Sequence, residues 1–278
     1  MNSVNTWSSL ALICAWPGMA IAQLQLLPDK DAQCVFAGDA RQIAVEWHNA
    51  GNQPVEAEIH AQVFQTTTAT AVPLGGGFWK NLSVLPGQTI LESARLDFPA
   101  VRIETKFLVQ WLEGTNRLLG VTAVLIYPTN LLEGLRPLAG GKAIGIFDPQ
   151  GELKPLLKSM RVDFEDLGNL EFENFSGKLA IVGPFASRSQ VPSDLAKQIK
   201  KLAQKGAAVV WILPPDSPPA FAPSVYPVWE GLGMVMVVQA RMVSDLPGNP
   251  RSQSNLLHCC DLALHAQFLT LPSLSAPS

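Results

Sequence analysis

The feature that most constrains this chain is a change of hydrophobic period near residue 128, because one core cannot be built from two incompatible side-chain repeats. Residues 43–47, 56–64 and 106–111 alternate apolar with polar side chains, as strands buried on one face do. Turn formers separate them at residues 49–54, 74–77, 86–87 and 113–116. Six or seven short strands at that spacing predict an antiparallel sandwich. Beyond Pro128 the runs become continuous: 143–147, 179–182 and 207–213 are apolar throughout, the pattern of strands covered on both faces. Between the last two, Ser193 is positioned to cap a helix with Leu195, Ile199 and Leu202 on one stripe, and Gly206 stops it. Residues 234–238 read as a further strand, and Ser254 as the cap of a last helix running to Phe268.

The boundaries follow. Residues 1–22 read as a signal peptide, with an apolar stretch from Ser8 to Ile21 and a small-x-small site at Ala20-Ile21-Ala22, cleaved after Ala22. Met1 to Trp7 lacks the usual Lys or Arg, so an uncleaved anchor or a buried N-terminal helix is the competing reading. Residues 23–128 are the expected sandwich, 129–141 a linker rich in glycine, 142–270 an α/β domain and 271–278 a loose tail. No segment after the leader approaches the roughly 18 apolar residues of a membrane span. The expected product is therefore exported, periplasmic or secreted.

The strand, Asn49-Ala50-Gly51-Asn52-Gln53-Pro54 turn and strand at residues 43–63, followed by the Pro86-Gly87 turn, resemble bacterial immunoglobulin-like modules. The second half is similar to the α/β, flavodoxin-like fold of class I glutamine amidotransferases, in the form without a nucleophile that accompanies some exported sugar-processing enzymes. Residues 177–184, 195–206 and 207–213 carry that resemblance. It implies an accessory role in carbohydrate processing. Where active members of that family place a cysteine in a glycine-flanked elbow, this chain has Leu213-Pro214-Pro215, which supplies no nucleophile.

Candidate chemistry is sparse. Asp148, in Phe147-Asp148-Pro149-Gln150-Gly151-Glu152, follows a predicted strand, where ligand sites of open α/β sheets gather. It partly resembles the nucleophile motif of haloacid-dehalogenase-type phosphatases. That motif needs a second aspartate where Gln150 stands and a small hydroxyl residue where Glu152 stands. A turn-forming, helix-capping aspartate is the plainer reading. His258, Asp261 and His265, at i, i+3 and i+7, share a helical face, a spacing that permits a metal, although the two histidines lie about 10 Å apart along the axis, too far to bind one ion without help. Asp163, Glu165, Asp166, Glu171 and Glu173 offer carboxylate pairs in a solvated connection. Trp47, Trp79 and Trp111 sit amid alternating strands, where tryptophans are usually core.

Loss of the leader removes Cys14 and leaves Cys34, Cys259 and Cys260, enough for one bridge at most, through Cys34, or for free thiols. A net charge of -3 and no basic run longer than Lys200-Lys201 exclude a nucleic-acid surface. No Gly-x-Ser-x-Gly elbow, Walker loop or dinucleotide fingerprint occurs. The sequence therefore predicts an exported, non-catalytic binding protein with no cofactor and a protein or carbohydrate partner. The alternative is a hydrolase, phosphatase- or glycosidase-like, with its site around Asp148.

Overall fold

Alternation in the first half becomes two facing sheets. The structure, a computed structural model, describes residues 23–67, 69–168, 172–214, 224–230, 232–239, 243 and 245–265. Its first eight strands are β1 (Leu24–Leu27), β2 (Gln33–Phe36), β3 (Gly38–Asn49), β4 (Val55–Thr66), β5 (Ala71–Val84), β6 (Thr89–Phe98), β7 (Thr105–Glu113) and β8 (Arg117–Tyr127). One sheet has the order β1-β3-β6 and the other β2-β8-β7-β4-β5. Ile43, Val45 and Trp47 of β3 face Ala57, Ile59 and Ala61 of β4 and Phe107, Val109 and Trp111 of β7 in a single core. The Trp47 ring meets Trp111 edge-on at 5.8 Å, and Trp79 lies 5.0 Å from Trp111. Trp111 donates its indole N–H to the Thr122 hydroxyl at 3.0 Å, so its polar edge is satisfied inside. Buried Asn49 clamps the following turn: its amide donates to the carbonyls of Gln53 and Val84, and its oxygen accepts the Gly51 N–H, all at 2.9 Å.

The continuous apolar runs form a second sheet. A 3-10 turn (Leu131–Gly134) and α1 (Leu135–Leu138) lead into β9 (Ile144–Phe147), α2 (Leu153–Ser159), β10 (Phe164–Asp166) and β11 (Leu179–Val182). Then come α3 (Leu195–Gln204), β12 (Ala208–Leu213), β13 (Ser224–Glu230), β14 (Gly233–Gln239) and α4 (Pro250–His265). The strand order is β10-β9-β11-β12-β14-β13. Leu195, Ile199 and Leu202 of α3 cover one face of the sheet, over Ala180, Val209 and Val235. Leu153 and Leu157 of α2 and Leu256, Cys260 and Ala263 of α4 cover the other, over Ile146, Ile181 and Val210. A sheet with both faces covered is apolar at consecutive positions, which is why the runs do not alternate.

The expected plan, an all-β immunoglobulin-like sandwich followed by a separate α/β domain, is corrected by this topology. Three sheets form, and two of them mix parallel with antiparallel pairs. β2 runs parallel to β8, and β13 is antiparallel to β14 in an otherwise parallel sheet. Gln33 lies at the first of these. Its side-chain amide donates to the Ala44 carbonyl at 2.6 Å and accepts the Ala44 N–H at 2.8 Å, so it ties β2 to the edge of β3 while the β2 backbone pairs with β8. The halves also touch, because α4 packs against β2 and Arg251 donates to the Ala32 carbonyl at 3.4 Å.

Residues 129–141, expected as a linker, contribute Leu132, Leu135 and Ala139 to the second core at 0% exposure. Full burial of a leucine is worth about 2 kcal/mol, which disfavours a free hinge. The last helix starts at Pro250 rather than Ser254, because Asn249 accepts the N–H groups of Arg251 and Ser252 at 3.0 and 3.3 Å and caps it there. The leader at 1–22, Cys14, Glu171, Pro215, Phe268 and the tail at 271–278 lie outside the described residues.

Candidate functional site

The carboxyl end of β9 delivers Asp148 into a turn closed by the Gly151 N–H on the Asp148 carbonyl at 3.3 Å, with Gly151 in the left-handed region at φ 69°. The Asp148 side chain, buried at 6% exposure, points into the first turn of α2. One carboxylate oxygen accepts the N–H of Glu152 at 3.3 Å, and the other accepts those of Leu153 and Lys154 at 2.8 and 2.9 Å. Three donors that would be orphaned at a helix start are thereby satisfied, and the negative charge faces the positive end of the helix dipole. Beside it, Phe147 packs on Phe172 and Phe185 at ring separations of 5.7 and 6.1 Å. Gly183 closes the edge: its N–H donates to the Phe147 carbonyl at 2.8 Å, and its φ of 106° suits glycine alone. A Cβ there would lie 2.4 Å from the Ile212 carbonyl oxygen.

The surroundings give Asp148 no partner for proton transfer in its own turn. Lys154, whose backbone it holds, directs its amine to Asp166 at 2.6 Å. That contact, reinforced by the Gly168 N–H, holds the exposed Asp166 carboxyl below its ordinary pKa. Glu173 is likewise lowered by its hydrogen bond to Lys201 at 2.7 Å. Of the described acidic residues here, Asp166 and Glu173 each engage a lysine, while Asp163 and Glu165 are exposed, Glu165 and Asp166 lying on the edge strand β10.

The structure does not bring the proposed metal ligands together. His265 meets Asp261 at 2.9 Å as an exposed i, i+4 pair, while His258 lies on the same helix, exposed and apart from that pair. Among the described residues no three His, Cys, Asp or Glu side chains converge. Trp47 and Trp111 are wholly buried, and Trp79 is half-buried against them. Cys34, Cys259 and Cys260 are free thiols.

Two features escaped the sequence. At the junction of the halves, Cys34 of β2, Tyr127 at the end of β8 and Arg251 of α4 gather. Burial, then a hydrogen bond to Glu104, pushes the Tyr127 hydroxyl well above its ordinary pKa, and the Cys34 sulfur beside Arg251 raises the guanidinium. These residues are 217 positions apart at the extremes (Cys34 to Arg251, 251 less 34), beyond the reach of any local pattern. The second is a groove of about 470 Å³ lined by Ala61 and Val63 of β4, the stretch from Leu74 to Trp79 of β5, and Arg95, Leu96 and Asp97 of β6. The uncharged, glycine-broken stretch at residues 71–79 was its available signal.

No protein-family profile matches the sequence, and no curated protein matches it. Solved structures give partial likenesses. A DNA glycosylase of Pseudomonas fluorescens, AlkC, bound to DNA containing an abasic site analog, matches at 10% identity over 38% of this chain and 31% of its own, with a TM-score of 0.29. The sporulation control protein Spo0M of Bacillus subtilis matches at 12% identity over 43% and 57%, TM-score 0.30. A β-glucosidase of Listeria innocua, in complex with isofagomine, matches at 12% over 38% and 16%, TM-score 0.28. This chain covers less than two thirds of each, and likenesses of that depth transfer neither fold nor activity. Among the described residues no helix is long and apolar enough to cross a membrane.

Proposed function

We propose that this chain is an exported, non-catalytic interaction protein of the cell envelope, acting through its surface on a protein partner. The observation that carries the reading is Asp148. The side chain best placed for catalysis has both carboxylate oxygens engaged by three backbone N–H groups at the start of α2, a role that holds the fold. Export rests on the apolar stretch and small-x-small site of residues 1–22. The purified chain is expected to hydrolyse neither a phosphomonoester nor glutamine above background, with or without magnesium. Turnover that disappears in Asp148→Asn and survives in a distant surface variant would defeat the proposal.

A further inference from the structure

Where the two halves meet, polar side chains gather that belong to neither core. The Cys34 thiol of β2 donates to the Ala32 carbonyl at 3.7 Å, and Arg251, in the first turn of α4, donates to the same oxygen at 3.4 Å. The guanidinium and the sulfur are therefore neighbours around one acceptor. The Tyr127 hydroxyl at the end of β8 lies against the same sulfur and bonds Glu104, and Asp31 adds a second carboxylate near Arg251. A cation in the first turn opposes the helix dipole, and α4 has no acidic residue there to offset it. Arg251 thus sits against its local preference, at the point where its guanidinium reaches β2. The two sides of this contact are unequally anchored. α4 buries Leu256, Cys259, Cys260 and Ala263 in the second core, whereas β2 is a four-residue edge strand with every residue only half-buried. Elements with so little burial open at low free energy, so the β2 side is where the junction yields.

We propose that this junction is a thiol-sensitive latch, in which a mixed disulfide formed between Cys34 and a small disulfide such as glutathione disulfide displaces Arg251 and releases α4 from β2. Exchange of this kind needs an accessible sulfur and gains from a positive charge beside the attacking thiolate; Cys34 is half-buried rather than buried, and the Arg251 guanidinium is its neighbour. Cys34 gives up its proton, its sulfur bonds one sulfur of the reagent, the reagent's own S–S bond breaks, and the departing thiolate takes up the proton. Cys34 is oxidised and the departing half of the reagent is reduced, so excess thiol reverses the step. Because the sulfur and the guanidinium share a single carbonyl, a tripeptide attached to the sulfur has no room unless Arg251 moves away. α4 then keeps its seat in the second core and loses its hold on the first.

Hydrogen–deuterium exchange of the whole chain, read by mass spectrometry with and without glutathione disulfide, tests this. The expected result is an adduct on Cys34, none on Cys259 or Cys260, and severalfold faster exchange in peptides covering residues 33–36 and 250–254, returning to its starting value after dithiothreitol. Peptides from α3 and β12 should not change. Arg251→Ala, at an exposed position, should raise exchange in the same peptides without the reagent, and Cys34→Ser should abolish the response to it. An unmodified Cys34 in the native chain, an adduct that leaves exchange at the junction unchanged, or a rise spread over the whole chain would each overturn the latch. The deciding comparison is made on the wild-type chain, so it stands even if a variant fails to fold.

Discussion

Ion pairs at the residue scale show how little exposed charge contributes to this fold. Lys154 joins α2 to β10 through Asp166, and the lysine beside it lowers the Asp166 pKa. A carboxyl whose folded pKa is depressed stabilises the protein above its unfolded value, and that stabilisation is lost as pH falls through the folded value. Both partners are partly solvated, so solvent screening keeps the pair within about 1 kcal/mol. Lys154→Ala should accordingly lower the urea midpoint slightly at neutral pH, and the difference from wild type should close in strong acid once Asp166 is protonated. A difference that persists undiminished in acid would mean the lysine acts through its packing stem rather than its charge.

At the scale of elements, α4 binds the second core and reaches the first. Cys259 and Cys260 lie on its buried face, where burial raises both thiols above their ordinary pKa, while Cys34 on β2 is half-buried beside Arg251. Thiolate and access both govern thiol reactivity. Brief treatment with a thiol reagent at neutral pH should therefore label Cys34 before Cys259 or Cys260, as read by peptide mapping; equal labelling in the native state would show that α4 opens easily.

The same helix illustrates what sequence reveals and what it conceals. The alternation at 43–47 and 56–64, and the stripe at Leu195, Ile199 and Leu202, are local repeats, and those residues lie in β3, β4 and α3. The Gln33 side chain that reaches the backbone of Ala44 joins two sheets, and no periodicity encodes such a contact. Residues 131–139 read as a linker because Gly134 and Pro137 interrupt them. Leu132 and Leu135 nevertheless recur at helical spacing and are drawn into the core. The role of Asp148 was legible from its Asp-Pro turn, whereas the groove beside β5 was not, since it joins residues of β4, β5 and β6 that no local repeat brings together.

The molecule as a whole holds three buried clusters, one between the facing sheets and one on each face of the six-stranded sheet, and its halves meet where α4 packs on β2. Within that plan, the carboxyl end of the parallel strands is where chemistry would be expected, and there the chain places a helix cap, three phenylalanines and Gly183. Whether the molecule acts by contact or by catalysis thus turns on what Asp148 does for stability. A catalytic carboxylate is held at some cost to the fold, so replacing it leaves stability unchanged or raises it, whereas a capping carboxylate stabilises its helix. The most direct measurement is the unfolding free energy of Asp148→Ala from urea denaturation. A loss of about 1–2 kcal/mol is the expected result, and an unchanged or increased stability would contradict the account.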